Sequence, residues 1–472
     1  MSAAPAHESS VQKLVRPVEP TVLAGQDFFE LRPTDLFLTF RVETAIVVPG
    51  ALNMTRVRDA VACALSLYPL YAGRLARRGE QWLVHLNNAG VYVDFVESDA
   101  DKAVPIDAIV QHPFALANLI DHCFWDDGRE DQPLLRITVT EFTRTGEWSF
   151  ATSSPHLVGD GYIVYTFLRT VSQMYQGLEP LELVEYLRPP LSALSLDAPP
   201  VDMDTPWLDV FYPYGTLQPH QHPVNGTPTE RIDFRMTAEQ IIQLKAGVIL
   251  SGSDTLREQL AKISAQDALA ATLAAAMTES APDAPPIRTV TTHINFRGAV
   301  GVPLTSACNA LVQAVAHTPS ESPSDVAPFA LAIRKSLLDI RNPANLPAII
   351  SKTGARFVEA ARTKHYTDFS SAPGALNINS TRPFAWTSAH FGYPGRARFF
   401  HTCSDAPRYV KIFTPNPTRT VDAAGQESWK DWKGGAEVTF FIEPRYRGAF
   451  IDSFSAKARE LGVEGDIEFF QQ

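Results

Sequence analysis

Cysteine is scarce in this sequence, and no two cysteines lie near each other. Four occur in 472 residues, at Cys63, Cys123, Cys308 and Cys403. Four scattered cysteines do not make a disulfide scaffold, and the C-x-x-C spacing of redox and zinc motifs is absent. We therefore expect reduced thiols, no metal site and a cytoplasmic location.

Basic charge is also in short supply, because 41 Lys and Arg face 52 Asp and Glu, giving a formal net charge of −11. An acidic chain is poorly suited to general binding of nucleic acid or anionic membranes. The longest apolar run, Ala268 to Met277, is shorter than the roughly 20 residues of a spanning helix. Residues 1–10 lack the apolar core of a signal peptide. We expect a monomer with neither a nucleic-acid nor a membrane partner.

Several catalytic signatures are missing as well. The sequence contains no G-x-S-x-G, no P-loop and no H-E-x-x-H. It therefore offers no obvious nucleophilic serine, no phosphate-binding loop of the P-loop type and no zinc-protease helix.

What the sequence does contain is an alternation of strand and helix patterns, typical of an α/β protein. Hydrophobic periodicity predicts helices over 54–68, 162–176 and 264–277 and after Pro444, and strands over 134–142, 148–152, 231–236 and 437–442. Residues 1–20 resemble a loose arm. Two proline-rich stretches, 187–228 and 318–347, are predicted interruptions, because proline lacks an N–H and fixes φ. We take 1–186 as an N-terminal domain, 187–228 as a crossover and 229–472 as a C-terminal domain.

The strongest local signal is the segment 155–161 (PHLVGDG), between a predicted strand and a predicted helix. This position places His156 on a turn, where catalytic groups are often found. Gly159 and Gly161 permit a tight turn. A histidine titrates near neutral pH and can accept and return a proton. The alternative is a histidine that only caps the helix or faces solvent.

The wider pattern around His156 resembles the BAHD acyltransferases, which transfer acyl groups from coenzyme A thioesters. Residues 156–161 match the family's HxxxDG motif, and further blocks occur in family order. They are 31–35 (LRPTD), 68–75 (YPLYAGRL), 295–297 (NFR), 308–310 (CNA), 379–380 (NS), 390–393 (HFGY) and 437–447 (EVTFFIEPRYR).

The resemblance implies an α/β fold of two similar chloramphenicol-acetyltransferase-like domains. Each would be a mixed sheet with flanking helices, and a channel between them would hold His156. Acyl-CoA, acetyl-CoA by default, would be a co-substrate, and no cofactor would be bound permanently. His156 would act as general base on a hydroxyl or amine, with no acyl-enzyme.

The resemblance also implies roles for further residues. Asp160 would be structural and paired with Arg297. Asn379 and Ser380 would lie near the reacting centre, with Tyr393 in place of the family's tryptophan; core packing is the alternative for Tyr393. This sequence differs from the family in having His390 for aspartate, Pro394 for glycine and Thr381 for tryptophan. These differences indicate a divergent, fungal-type member.

Coenzyme A carries phosphates, which an acidic chain must meet with local basic charge. Residues 382–411 hold five Lys and Arg against Asp405, or 5 − 1 = +4. Residues 352–364, which include Lys364, hold four against Glu359, or 4 − 1 = +3. The alternative is a set of solvated faces. The candidate phosphate ligands are Lys352, Arg356, Arg382, Arg396, Arg398 and Lys411.

The predicted function is thus acyl transfer from acyl-CoA to a small-molecule, secondary-metabolite acceptor. One alternative keeps the fold but performs a cyclisation or isomerisation, or binds a metabolite, without acyl-CoA. Another is a carrier-dependent condensation module. Those modules carry HHxxxDG, whereas Pro155 precedes His156 here, and no carrier domain is visible.

Overall fold

The computed structural model describes most of the chain. The described residues are 11–21, 23, 25–36, 41–98, 132–186, 211–213, 228–307, 309–319, 321–363, 365–367, 373–401 and 407–470. Cys123, Cys308, Cys403, Lys364 and most of the predicted crossover 187–228 lie outside these ranges. The boundaries at 186 and 229 therefore remain predictions.

The first part of the chain alternates strands and helices. Its elements are β1 (Val11–Val15), β2 (Phe28–Glu30), β3 (Arg41–Val48), α1 (Met54–Leu67), α2 (Pro69–Ala72), β4 (Arg74–Arg78), β5 (Gln81–His85), β6 (Val91–Ser98), β7 (Arg136–Phe142), β8 (Glu147–Pro155) and α3 (Gly161–Tyr175). Short 3₁₀ turns form at Pro33–Asp35 and His156–Val158.

The second part continues the alternation. Its elements are β9 (Phe211–Pro213), β10 (Glu230–Met236), α4 (Ala238–Ser251), α5 (Asp254–Leu260), α6 (Ala265–Ser280), β11 (Thr289–Asn295), β12 (Leu311–His317), α7 (Val326–Arg341), α8 (Leu346–Thr363), β13 (His365–Thr367), β14 (Ala375–Ser380), β15 (Arg398–His401), β16 (Tyr409–Phe413), β17 (Thr418–Val421), β18 (Glu427–Lys430), β19 (Ala436–Ile442), α9 (Pro444–Glu460) and β20 (Glu468–Phe469).

Two mixed sheets organise these elements. The first has six strands in the order β1-β6-β7-β8-β3-β15, and the second has seven in the order β12-β11-β14-β16-β19-β10-β20. The pairs β6/β7, β11/β14 and β14/β16 are parallel, and the other pairs within these sheets are antiparallel. Smaller sheets join β2-β5-β4, β9-β13 and β17-β18. The predicted α/β class, with two mixed sheets and flanking helices, is confirmed.

Helix α3 shows how the sequence fixes an element beside His156. Its apolar residues recur at helical spacing, and Ile163, Phe167 and Val171 are all buried. Asp160 is the N-cap, and its Oδ1 accepts hydrogen bonds from the backbone N–H groups of Tyr162 and Ile163. The helix packs against α1 and is thereby anchored in the first hydrophobic core.

The second sheet has two chemically different faces. Alternate residues such as Ile378, Val410 and Val438 point into an apolar core shared with the helices. Several of the residues between them are polar, among them His293, Asn379, Lys411 and Thr439. This second face carries the polar side chains that lie near His156.

A segment of the second half belongs to the first sheet. β15 pairs antiparallel with β3, from Arg398 opposite Val47 to His401 opposite Thr44. Just before it, the backbone N–H of Phe391 donates to Ser172 Oγ of α3 over 2.8 Å. The two halves are therefore interlocked, and the structural boundary between sheets does not follow the predicted sequence boundary.

Two of the sequence-based predictions are wrong. Residues 1–20 are not a loose arm throughout, because Val11–Val15 form an edge strand paired with β6. The stretch 318–347 contains helix α7. Its Pro328 is the third helical residue, where the backbone N–H has no intrahelical acceptor and proline is tolerated.

Candidate active site

His156 stands where the central strand β8 ends. β8 is buried along its length, and its last residue, Pro155, lies opposite Arg41 of β3. A 3₁₀ turn then carries His156 to α3. His156 is partly exposed, whereas its neighbours Pro155 and Leu157 are buried. The turn therefore presents the imidazole outward from the first sheet.

Gly159 and Gly161 contribute differently to this turn. A Cβ on Gly159 would lie only 2.7 Å from Cβ of Ile163, so the turn requires glycine there. A Cβ on Gly161 would find its nearest neighbour, a ring atom of Phe384, at 3.8 Å. The close approach of Ile163 explains why residue 159 is glycine, whereas position 161 has room for a side chain.

Asp160 and Arg297 form a buried ion pair between the two halves. Arg297 donates from Nη1 to Asp160 Oδ2 over 2.8 Å and from Nη2 to Oδ1 over 3.1 Å, and both side chains are 1% exposed. Asp160 Oδ2 also accepts from the backbone N–H of Ala310, and Arg297 Nε donates to the carbonyl of Ser306. The pair holds the start of α3 against the second half.

Asn309 joins this turn to the rest of the junction. Its Nδ2 donates to the carbonyl oxygen of His156 over 2.6 Å. Its backbone N–H donates to Asp35 Oδ1 over 3.0 Å, and Asp35 stands on the 3₁₀ turn of the first half. The main chain of His156 is thus held by a residue of the second half.

The polar face of the second sheet lies near His156. Asn379 of β14 is the direct neighbour of Lys411 of β16, and His293 of β11 comes next to Asn379 on its other side. Lys411 lies close enough to His156 to influence its pKa, and both Lys411 and His156 lie close enough to His293 to influence the pKa of that residue. His156, His293, Asn379 and Lys411 are all partly exposed.

The electrostatics of the site keep both histidines neutral at physiological pH. Burial lowers the pKa of His156, with Lys411 acting in the same direction and Asp160 opposing it. Burial, His156 and Lys411 together lower the pKa of His293 to about 3. Burial alone would raise the pKa of Asp160, but Arg297 outweighs it and holds that pKa below its usual value.

The structure separates Asn379 from Ser380. Nδ2 of Asn379 donates to the hydroxyl of Tyr409 over 2.9 Å on the polar face. Ser380 lies on the opposite face, where its Oγ donates to Oε1 of Gln266 in the first turn of α6. Of this pair, Asn379 is the residue that shares a face with His293 and Lys411.

Tyr393 lies far from His156. Its hydroxyl donates to the carbonyl of Ala51, just beyond the end of β3 where Val48 pairs with Trp148. His156 follows the other end of the same strand pair, about 23 Å away at ~3.3 Å per residue. The structure thus places Tyr393 away from His156, packed against the first hydrophobic core.

The six candidate phosphate ligands are distributed over several places. Arg398 is 8% exposed and paired with Glu147 inside the first sheet, so it is not carried into the coenzyme site. Lys411 lies on the polar face near His156. The other four lie elsewhere in the second half: Lys352 is exposed on α8, Arg356 pairs there with Glu359, Arg382 donates to the carbonyl of Gly435, and Arg396 is exposed over the ring of Tyr393.

Sequence reasoning missed Asp35, Asn309, His293 and the location of Lys411. Asp35 and Asn309 lay in recognised blocks, so their position in those blocks was an available signal. For His293 and Lys411, the only signal in the sequence was the alternation of polar and apolar residues within each strand. That alternation does not reveal that β11, β14 and β16 are neighbours in the sheet.

The described part of the chain shows neither a metal-binding group of side chains nor a membrane-spanning helix. Within the described ranges, no three His, Cys, Asp or Glu side chains are grouped so that they could hold a metal ion. The same ranges contain no helix that is both long and apolar enough to cross a bilayer.

Comparison with known sequences gives a family match and a partial relative. Residues 40–318 match the model of the Transferase family, which is more than half of the chain. Rosmarinate synthase from Plectranthus scutellarioides is 26% identical over 192 residues. That alignment spans 40% of this chain and 42% of the length of rosmarinate synthase.

Comparison with solved structures covers nearly the whole chain. Vinorine synthase matches with a TM-score of 0.62 at 15% identity, over 93% of this chain and 96% of that chain. F. graminearum TRI101, in a complex with coenzyme A and T-2 mycotoxin, matches with a TM-score of 0.62 at 10% identity, over 94% and 99%. The X-domain from teicoplanin biosynthesis matches with a TM-score of 0.51 at 12% identity, over 96% and 98%. At such identities these similarities establish the fold.

Proposed function

Since the chain belongs to the BAHD acyltransferases, the family that the matching Transferase model describes, we propose that it transfers an acyl group from an acyl-CoA to a small-molecule acceptor. The observation that carries this proposal is the position of His156, a partly exposed residue whose main-chain carbonyl accepts a hydrogen bond from Asn309 and which lies close to the polar face of the second sheet. A neutral histidine between two halves of a molecule is suited to proton transfer between two substrates.

In the proposed reaction, His156 removes the proton from the acceptor hydroxyl or amine while its oxygen or nitrogen attacks the thioester carbon. The resulting tetrahedral intermediate breaks the carbon–sulfur bond. The imidazolium returns the proton to the departing sulfur, so the products are the acylated acceptor and the free thiol of coenzyme A. No covalent bond to the protein forms, and no nucleophilic serine or cysteine is required.

Asn379 is the proposed donor to the oxyanion of that intermediate. Its amide nitrogen carries two protons, and one of them is donated to Tyr409. The second is available to the developing negative charge, which preorganised donors stabilise. Asp160 and Arg297 act on the geometry of the turn and not on the proton, since Asp160 is fully engaged in its ion pair and backbone hydrogen bonds.

For the phosphates of coenzyme A, we propose Lys352, Arg356, Arg382 and Arg396. All four are Lys or Arg residues of the second half, and Lys352 and Arg396 are exposed. We further propose acetyl as the donor group, a secondary metabolite as the acceptor, a monomeric protein in the cytoplasm and no permanently bound cofactor. Neutralising the four charges should weaken acyl-CoA binding; unchanged affinity would refute the assignment.

The central test measures free thiol release from a panel of acyl-CoA thioesters mixed with a metabolite extract, with products identified by mass spectrometry. His156→Ala should slow thiol release by about 10²–10⁴-fold, the usual contribution of a general base. His317→Ala is the matched control, because His317 is exposed on β12 away from the polar row. An unchanged rate in His156→Ala would refute the mechanism. Absence of acyl-CoA binding would favour a cyclase, isomerase or metabolite-binding protein.

A further inference from the structure

Tyr162 lies directly after the turn that carries His156, and it contacts both members of the buried ion pair. Its backbone N–H donates to Oδ1 of Asp160 over 3.1 Å. The guanidinium carbon of Arg297 lies over its ring, 4.5 Å from the centroid. The negative face of an aromatic ring attracts a cation. Tyr162 therefore ties the start of α3 to Asp160 and to Arg297.

The ring of Tyr162 restrains Arg297 in a different way from its hydrogen bonds. Those bonds run to the carboxylate of Asp160 and to the carbonyl of Ser306. The donors of a guanidinium all lie in its plane, so the hydrogen bonds fix directions within that plane. The contact with the ring acts on the cation as a whole and adds a further restraint.

The hydroxyl of Tyr162 is itself anchored, which gives the ring a defined position. It donates to Oε1 of Glu182, and Oε2 of the same carboxylate accepts from Nη2 of Arg169. Arg169 also donates from Nη1 to the hydroxyl of Tyr165 over 3.2 Å. Burial alone would raise the pKa of Glu182, but these two partners outweigh it and lower that pKa, so the acceptor is ionised.

A ring from the second half lies against Tyr162 as well. The ring centroids of Tyr162 and Phe384 are 6.0 Å apart, and Phe384 also stacks on Tyr165 at 5.4 Å. Phe384 follows the end of β14 by four residues, and β14 carries Asn379. Groups from both halves of the molecule thus fix the place of Tyr162.

We propose that Tyr162 is a positioning residue for His156. The inference rests on the proposed acyl transfer and adds a residue to it: Tyr162 steadies the guanidinium of Arg297 against Asp160, and the ion pair steadies the turn that carries His156. In this role Tyr162 touches no substrate and accepts no proton. Its removal can shift the equilibrium between the held and the released turn by no more than its own contacts are worth.

Carbethoxylation by diethyl pyrocarbonate measures how firmly the turn is held, and it needs no substrate. The reagent acylates neutral imidazoles, and mass spectrometry of the tryptic peptide 145–169 reports on His156, the one histidine in that peptide. Tyr162→Leu should speed the reaction of His156 by roughly two- to thirtyfold, the fold-change that corresponds to the loss of one cation–π contact. Tyr162→Phe keeps the ring over Arg297 and should show a much smaller increase.

A double variant tests whether Tyr162 acts through Arg297. In an Arg297→Met background the cation that the ring contacts is already gone. Tyr162→Leu should then cause no further increase in the rate of carbethoxylation, so the two effects should not add.

Tyr446→Leu is the matched control, because Tyr446 has the same kinds of contact far from the turn. The guanidinium carbon of Arg445 lies 4.5 Å from the centroid of its ring, and its hydroxyl donates to Asp283 over 2.7 Å. Tyr446 lies on α9 and packs in the second hydrophobic core. This variant should leave the carbethoxylation rate of His156 unchanged.

Kinetics supply a second readout that a purely structural role would not move. With acetyl-CoA as the varied substrate and the metabolite extract at a fixed amount, Tyr162→Leu should lower kcat for thiol release by roughly the same two- to thirtyfold. The KM for acetyl-CoA should stay nearly unchanged, because the change affects the placement of the base and not the binding of the thioester.

The proposal is overturned if His156 reacts at the wild-type rate in Tyr162→Leu, if Tyr162→Phe has as large an effect as Tyr162→Leu, or if the effects of Tyr162→Leu and Arg297→Met add in full. If Tyr162→Leu does not fold, Tyr162→Met replaces it. Failure of the proposed function would look different: the wild-type protein would release no thiol, while the carbethoxylation rates would still decide whether Tyr162 holds the turn.

Discussion

Replacing Arg297 by methionine should destabilise the protein by removing one partner of the buried ion pair that joins its halves. Methionine fills much of the volume of the arginine side chain, so the change is chiefly electrostatic. Asp160 would lose two hydrogen bonds and its counter-charge while its side chain stays 1% exposed.

The expected loss is about 3 kcal/mol, at the lower end of the ~3–5 kcal/mol measured when one partner of a buried pair is removed. The lower end applies because Asp160 keeps hydrogen bonds from the backbone N–H groups of Tyr162, Ile163 and Ala310. Asp160→Asn should also destabilise, since it leaves the guanidinium of Arg297 buried. The double variant should cost less than the sum of the single variants.

The assay is urea unfolding followed by fluorescence, with the free energy of unfolding taken from the linear extrapolation. Lys335→Met is the control, because it breaks the exposed pair with Asp339 on helix α7 and should cost no more than about 1 kcal/mol. If Arg297→Met is no more destabilising than this control, or if the losses in the double variant simply add, the ion pair does not hold the halves together.

The same pair predicts how the loss depends on pH. The pKa of Asp160 in the folded protein lies below its usual value because of Arg297. Its stabilising contribution is therefore complete above the unfolded pKa of about 3.9, and is lost as the pH falls through the lower folded-state pKa. The difference in unfolding free energy between wild type and Arg297→Met should be constant near neutral pH and shrink in acid. A difference that grew in acid would contradict the assignment.

Other perturbations test the remaining parts of the site. The acid limb of kcat/KM should have an apparent pKa below about 6.5, because burial lowers the pKa of His156, and Lys411→Met should move that limb to higher pH; a limb above 6.5 in the wild type would contradict this. Asn309→Ala should reduce kcat and cost about 1–3 kcal/mol in urea unfolding, since it removes the hydrogen bond to the His156 carbonyl. Phe391→Ala should cost about 3–5 kcal/mol, because Phe391 is 1% exposed between the halves. Tyr393→Phe should leave kcat unchanged; a large loss of kcat would return Tyr393 to the catalytic set.

Local sequence patterns predicted the elements around His156 well. The helix expected over 162–176 spans Gly161–Tyr175, and the strand expected over 134–142 spans Arg136–Phe142. Such agreement is expected where hydrophobic periodicity and a capping residue such as Asp160 act within a few residues of each other. Prediction failed over 318–347 because Pro328 lies in the first turn of α7, where a backbone N–H would have no acceptor within the helix. Proline at this position therefore does not interrupt the helix.

For the candidate site, too, local sequence patterns located single residues but did not show which of them come together. Asp160 and Arg297 are 137 residues apart, and only the resemblance to a family suggested their pairing. Tyr393 and Arg398 were assigned by block and by local charge, but their positions depend on β15 joining the first sheet. Ser380 follows Asn379 directly in sequence, yet strand alternation turns it to the other face. The placement of Ser380 follows from strand alternation once the strand is recognised, whereas neither periodicity nor composition contains the Asp160–Arg297 pairing or the position of β15.

By itself, the sequence determined the α/β class, the turn that presents His156 and the helix that follows it, because these depend on interactions between residues close in the chain. Only the tertiary structure decided that Asn309 reaches back to His156, that Lys411 stands beside Asn379, and that a strand of the second half completes the first sheet. Those contacts depend on which strands become neighbours, and strand order is selected by the packing of the whole chain.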